Sequence, residues 1–301
     1  MKTPIQWLTH ARWFRHGMGA LVLCCAVLGF PGSPQADAGE GEVSNPLPMA
    51  GLMTAYATHE AGKFQAQADY WYQVARGLNE APIHVTECLD QAHLDYMQRL
   101  QLNADQYQAR YDALALLGSQ AYNPVIEPEF FSAEVTNPYF PLVVGETRVY
   151  EKQTLEGLEH HESTVLDKTV WIQGVECRAV RKIEMHAGVV FEETVDWYAQ
   201  HQNGDVWYFG ELSMHYEDGF VTDIDGSWRA GKNGAKAGIV VKAQPVSGMA
   251  FRHEYAPGIA EDISIILAVD VVAESSLGTF HDCVEVEETT PMEPMEIERK
   301  I

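Results

Sequence analysis

The sequence predicts an α+β protein, with an N-terminal helical region followed by an antiparallel β-meander that forms a barrel or half-barrel. Three observations carry that prediction. Apolar residues recur at steps of three and four before Gly118 and at steps of two after Gly145. A proline-punctuated stretch separates the two regimes. Turn signals then punctuate the chain at short intervals, Ala187-Gly188, Asn203-Gly204 and Asp218-Gly219 among them.

The first 38 residues read as an export signal. Lys2, Arg12 and Arg15 form a basic start, an apolar run follows from Met18 to Phe30, and Ala36-Asp37-Ala38 offers small residues around a cleavage point. The run is shorter than the ~20 residues a membrane-spanning helix needs. A periplasmic or secreted location is therefore expected, with no stable membrane span once the signal is removed. Residues 39–118 form the helical region, opening on a loose Gly- and Glu-containing leader. The sets Leu52, Tyr56, His59 and Leu89, Ala92, Tyr96, Leu100 keep helical spacing. Breaks at Gly77–Pro82 and near Asn103 predict three or four helices. Residues 119–142 form the connector, where Asn123-Pro124, Glu127-Pro128 and Asn137-Pro138 hold the chain extended. Residues 143–301 form the β domain, with nine to eleven short strands.

The chain carries 43 acidic against 20 Lys and Arg residues, a net charge of -23. Such a surface repels phosphates, so nucleic acid is not an expected partner. Cys88, Cys177 and Cys283 follow the signal, an odd number that excludes a disulfide framework. Cys177 shares parity with Val175 and Ile183 and reads as buried; Cys283 falls with Glu285 and Glu287 and reads as exposed.

No Gly-x-Ser-x-Gly elbow, His-Glu-x-x-His pair or Gly-Lys-Ser/Thr phosphate loop occurs. Two constellations remain. The aromatic residues Trp197, Trp207, Tyr208, Trp228 and Tyr255 suit a small-ligand cavity lined by rings with polar tips, and serve equally as core fillers. This predicts a non-catalytic protein that binds a small molecule. The loop from His253 to Asp262 contains His253, Glu254, Glu261 and Asp262, and its Pro257-Gly258 turn folds the carboxylates towards one another. Hard oxygen donors of this kind suit a divalent metal such as calcium, or a metal-dependent hydrolase. Of the histidines, His160 and His161 point to opposite sides of a strand, while His186, His201 and His215 fall at strand ends.

Several blocks resemble an uncharacterised family of exported bacterial proteins. They are Asn137-Pro-Tyr-Phe-Pro-Leu142, Asp196-Trp-Tyr-Ala-Gln200, Val206-Trp-Tyr-Phe-Gly-Glu211, and Glu254-Tyr255 with Pro257-Gly258 and Ala260-Glu-Asp262. The resemblance covers residues 126–301 and implies export and an all-β region, with no reaction attached. Members of that family run on with a Tyr-Ala-Pro-Gly-like segment, which implies that Ile301 falls within the pattern.

Overall fold

The computed structural model describes residues 49–154, 157–275 and 277–301; the export-signal reading lies outside them. The chain is α+β as expected. The described residues begin with a two-helix hairpin, α1 (Ala50–Gly77) and α2 (Val85–Leu117), rather than the three or four helices expected over 39–118. Asn103 was expected to break the second helix and instead lies buried inside it. Its side-chain amide donates to the His59 carbonyl at 2.9 Å and lies 3.1 Å from His59 Nδ1. A polar residue with all its partners on the facing helix is satisfied, so it need not end the helix. Small residues bring the helices close. A Cβ at Gly62 would meet Asn103 at 2.2 Å, and one at Gly77 would meet Cys88 at 2.9 Å.

Thirteen strands follow among the described residues, rather than nine to eleven, in two open sheets. The larger holds β1 (Phe131–Ser132), β2 (Thr147–Gln153), β3 (Leu158–Ile172), β4 (Val175–His186), β5 (Val189–His201), β6 (Val206–Glu217), β7 (Phe220–Asp223), β8 (Trp228–Arg229) and β9 (Gly238–Val241). Strands β2 to β7 pair in sequence order, all antiparallel, with β1 on β5 and both β8 and β9 on β6. The smaller sheet runs β10 (Ala250–Arg252), β11 (Ile263–Ser275), β12 (Gly278–Thr289) and β13 (Ile297–Lys300). The meander is as expected, but no closed barrel forms among the described residues: β2 pairs only with β3, and the two sheets share no ladder. A long connection through β8 and β9 ends the meander before strand order can return to β2.

The predicted inward place of Cys177 holds: it is fully buried in the main core with Val175, Ile172, Val206 and Phe209. Beyond Ala179 the alternation of β4 gives way, with Val180 buried and Ile183 and Met185 half-buried. Burial pushes the Cys177 thiol up to about 12, so it is expected to stay unmodified by a thiol reagent at neutral pH in the folded protein. All three described cysteines are free, and Cys283 is half-buried rather than exposed.

The hairpin is anchored to the β domain by α2. Arg110 grips the Glu261 carboxylate through Nε and Nη2 at 2.7–3.1 Å, with both residues buried. Gln106 Nε2 donates to the Met292 carbonyl at 2.8 Å.

Candidate functional site

A cavity of about 220 Å³ lies between the two sheets. Its wall comes from β2 to β6 of the large sheet, from Phe140 and Leu142 of the connector, and from His253, Glu288 and Lys300 of the small sheet.

The floor is built on β5 and β6. Tyr198 and Tyr208 are cross-strand partners, and their rings stack at 4.8 Å with an interplanar angle of 19°. Both are almost fully buried. The Tyr208 hydroxyl donates towards two carboxylates, Asp196 Oδ1 at 2.6 Å and Glu211 Oε2 at 2.9 Å. Tyr208 and Glu211 stand three apart, so a regular strand would send them to opposite faces. A register shift between Asp196–Glu211 and Tyr198–Tyr208 turns both inward. Gly210 makes the shift possible. Its φ is +129°, and a Cβ there would sit 2.3 Å from the Trp228 carbonyl oxygen. Gly210→Ala is therefore expected to cost about 2 kcal/mol, from left-handed strain and the displaced β8. A denaturant melt checks it.

The buried charges are matched. Lys182 Nζ lies 2.8 Å from Asp196 Oδ2, and Asp196 has no solvent exposure. Burial alone would lower the Lys182 ammonium, but the Asp196 carboxylate beside it outweighs that and holds it well above its usual range. Burial, and then the charges of Asp196 and Glu211, push the Tyr208 phenol well above its normal value; burial and Asp196 do the same to Tyr198. Both phenols therefore keep their protons at neutral pH and act as donors, never as bases.

On the opposite wall Lys300 pairs with Glu288 and lies 3.3 Å from Glu298. His253 Nδ1 stands 3.6 Å from Glu288 and 3.4 Å from Ser264 Oγ. This is no hydrolytic triad. Serine and carboxylate face the same ring nitrogen, and Ser264 is fully buried. Burial works to raise Glu288, but Lys300 and His253 overcome it and hold the carboxyl well below the usual range. A carboxyl depressed on folding contributes stability above its unfolded pKa and loses it as pH falls. Acid unfolding below about pH 4.5 is expected to be flatter in Glu288→Gln than in the wild type, as read by the stability–pH slope.

The sequence-predicted residues separate here. Of the aromatic set, Tyr208 lines the cavity. Trp228 packs edge-on behind it at 5.3 Å and is buried. Trp207 stands on the far face against Phe131, and Trp197 lies beneath the Arg229 guanidinium. Tyr255 meets Tyr122 edge-on and lies beneath the Arg252 guanidinium, away from the cavity. Of the acidic loop, His253, Glu254 and Asp262 do line the cavity. Glu261 turns away to Arg110 and also accepts the Gly258 N–H at 2.6 Å. Among the described residues no group of three His, Cys, Asp or Glu side chains is placed to hold a metal ion. The expected calcium set is therefore not gathered, because its central carboxylate is taken by the helix. His160 pairs with Glu151 and Glu162, and His161 with Glu184, on opposite sides of β3 as expected.

Sequence reasoning missed Tyr198, Lys182 and Asp196 as site residues. Lys182 and Glu184 share their face of β4 with the buried Val180, and that face is the cavity wall.

No helix among the described residues is long and apolar enough to cross a membrane. No family model matches the chain, and no curated protein or solved structure matches it.

Proposed function

We propose that this is an exported, non-catalytic protein that binds a small molecule in the cavity between its two sheets, and that the molecule carries a cationic nitrogen. The cavity carries the reading: a buried, stacked tyrosine pair beneath a lining in which nine Asp and Glu residues face three Lys and Arg residues. The three bases are already engaged, Lys182 by Asp196, Lys300 by Glu288 and Glu298, and Arg148 by Glu146 and the Pro141 carbonyl. The surplus is carboxylate, and a carboxylate-lined space between aromatic faces attracts an ammonium group. At about 220 Å³ the space is smaller than the roughly 300–1,000 Å³ of drug-sized sites, which limits the ligand to a small amine. Export rests on the basic, apolar and small-residue order of residues 1–38 and on the family resemblance.

The lining supports binding over catalysis: the phenols are held protonated, and the two cavity histidines stand against carboxylates, His161 against Glu184 and His253 against Glu288. Intrinsic fluorescence tests the reading, since Trp228 packs on the cavity tyrosine. A small aromatic amine is expected to change the emission of the full chain at neutral pH. The Tyr208→Phe protein, which keeps the ring and loses the donor, is expected to respond about tenfold more weakly. An unchanged response in that variant would place the binding elsewhere.

A further inference from the structure

Helix α1 is apolar on two sides, and only one side is covered. At about 100° per residue, Ala55, Gly62, Ala66 and Gly77 share the face that α2 closes over. Roughly half a turn away runs a second stripe. Its large members are Met53, Phe64, Trp71 and Leu78; its small members are Ala57, Ala61, Ala68 and Ala75. From Ala57 the stripe keeps alternating steps of four and three, the spacing of a coiled-coil seam. Every member is exposed, including 69% of Phe64, 59% of Trp71 and 61% of Leu78. A helix with one partner needs one apolar stripe.

We propose that this seam pairs, antiparallel, with the same seam of a second copy of the chain, so that two hairpins form a four-helix assembly. The order of large and small residues selects that occupant. A two-fold axis between Ala68 and Trp71 sets Trp71 against Ala68 of the second copy, Phe64 against its Ala75 and Leu78 against its Ala61. Each of these layers then meets large with small, and the patch is complementary to itself, as an isologous interface requires. A parallel pair would set Trp on Trp and Ala on Ala, crowding some layers and leaving gaps in others. The area suffices. Phe64, Trp71 and the neighbouring Tyr72 each expose more than half of their surface. With Leu78 they offer on the order of 500 Å² per copy, and the pair reaches about 1,000 Å², where specific interfaces begin. Charge does not oppose it. The chain is strongly acidic, but α1 balances Glu60 and Asp69 against Lys63 and Arg76. Asp69 is paired to Arg99 and Glu60 to Lys63.

Sedimentation equilibrium of the full chain tests this. A dimer is expected, and Ala68→Glu and Trp71→Glu are each expected to weaken it ~100-fold or more. Both positions are exposed in the monomer, so the far-UV spectrum and melting temperature of the dissociated chain should not change. Mixing Ala61→Cys and Leu78→Cys copies under mild oxidation is expected to give the mixed covalent dimer. A monomer at every concentration, a dimer that survives Ala68→Glu, or disulfides only between like copies would overturn the proposal. So would a monomer that binds phosphatidylcholine vesicles through Trp71, which would make the seam a lipid contact.

Discussion

Replacing Arg110 with Met is expected to lower the unfolding free energy by about 3–5 kcal/mol. Arg110 and Glu261 are both nearly inaccessible, and the guanidinium holds the carboxylate with two nitrogens. Removing the cation leaves Glu261 buried with one hydrogen-bond donor, the Gly258 N–H, and only the longer-range charge of Arg252. An uncompensated buried charge is far more costly than the intact pair is favourable. For a chain of this length the melting temperature should fall by about 10 °C. Arg110→Met combined with Glu261→Leu should recover most of the loss, because both charges leave together. Thermal melts of the two single variants and the double variant form the cycle that checks it. If Arg110→Met melts as the wild type does, the helical hairpin is not anchored as described.

Lys182→Met carries the second large effect, about 3 kcal/mol of stability. It strands the Asp196 carboxylate, which has no solvent exposure and keeps only neutral phenol partners, Tyr208 and Tyr198. The sign with pH is fixed. Lys182 is raised on folding, so its contribution is full below its unfolded pKa of about 10.4 and is lost only as pH rises through the higher folded value. The deficit is therefore expected in full at pH 7, and it should shrink when Asp196→Asn is added to Lys182→Met, because both charges then leave together. Urea midpoints of the single and double variants at pH 7 measure the difference. A deficit that the second substitution leaves unchanged would mean that lost packing of the lysine stem, not charge, is responsible.

What could be read in the sequence follows from what each signal depends on. The change of period near the proline connector is local, and it gave the α+β class and the meander. Asn203-Gly204 turns the chain between β5 and β6 as its residues dictate. The inward place of Cys177 followed from parity alone. Three features resisted for one reason: each is set by a partner distant in sequence. Asn103 is a breaker on its own and a satisfied core residue only beside His59. Glu261 suits a cation until Arg110, 151 residues earlier, takes it. Tyr208 and Glu211 have opposite parity until the irregularity at Gly210 brings them together, and one strand's sequence does not announce that shift. The aromatic set illustrates the same limit. Adjacent Trp and Tyr on β5 and β6 must face opposite ways, but only the docking of the small sheet makes the tyrosine side the cavity.

The central claim is that the space between the sheets selects a small cation. Isothermal titration with benzylamine and with benzyl alcohol at pH 7 tests it most directly, because the two match in size and differ in charge. Benzylamine is expected to bind at one site per chain, at least tenfold tighter than the alcohol, and to lose that margin in Glu254→Gln or Tyr208→Phe. Equal affinity for both ligands, or binding of neither, would contradict the account.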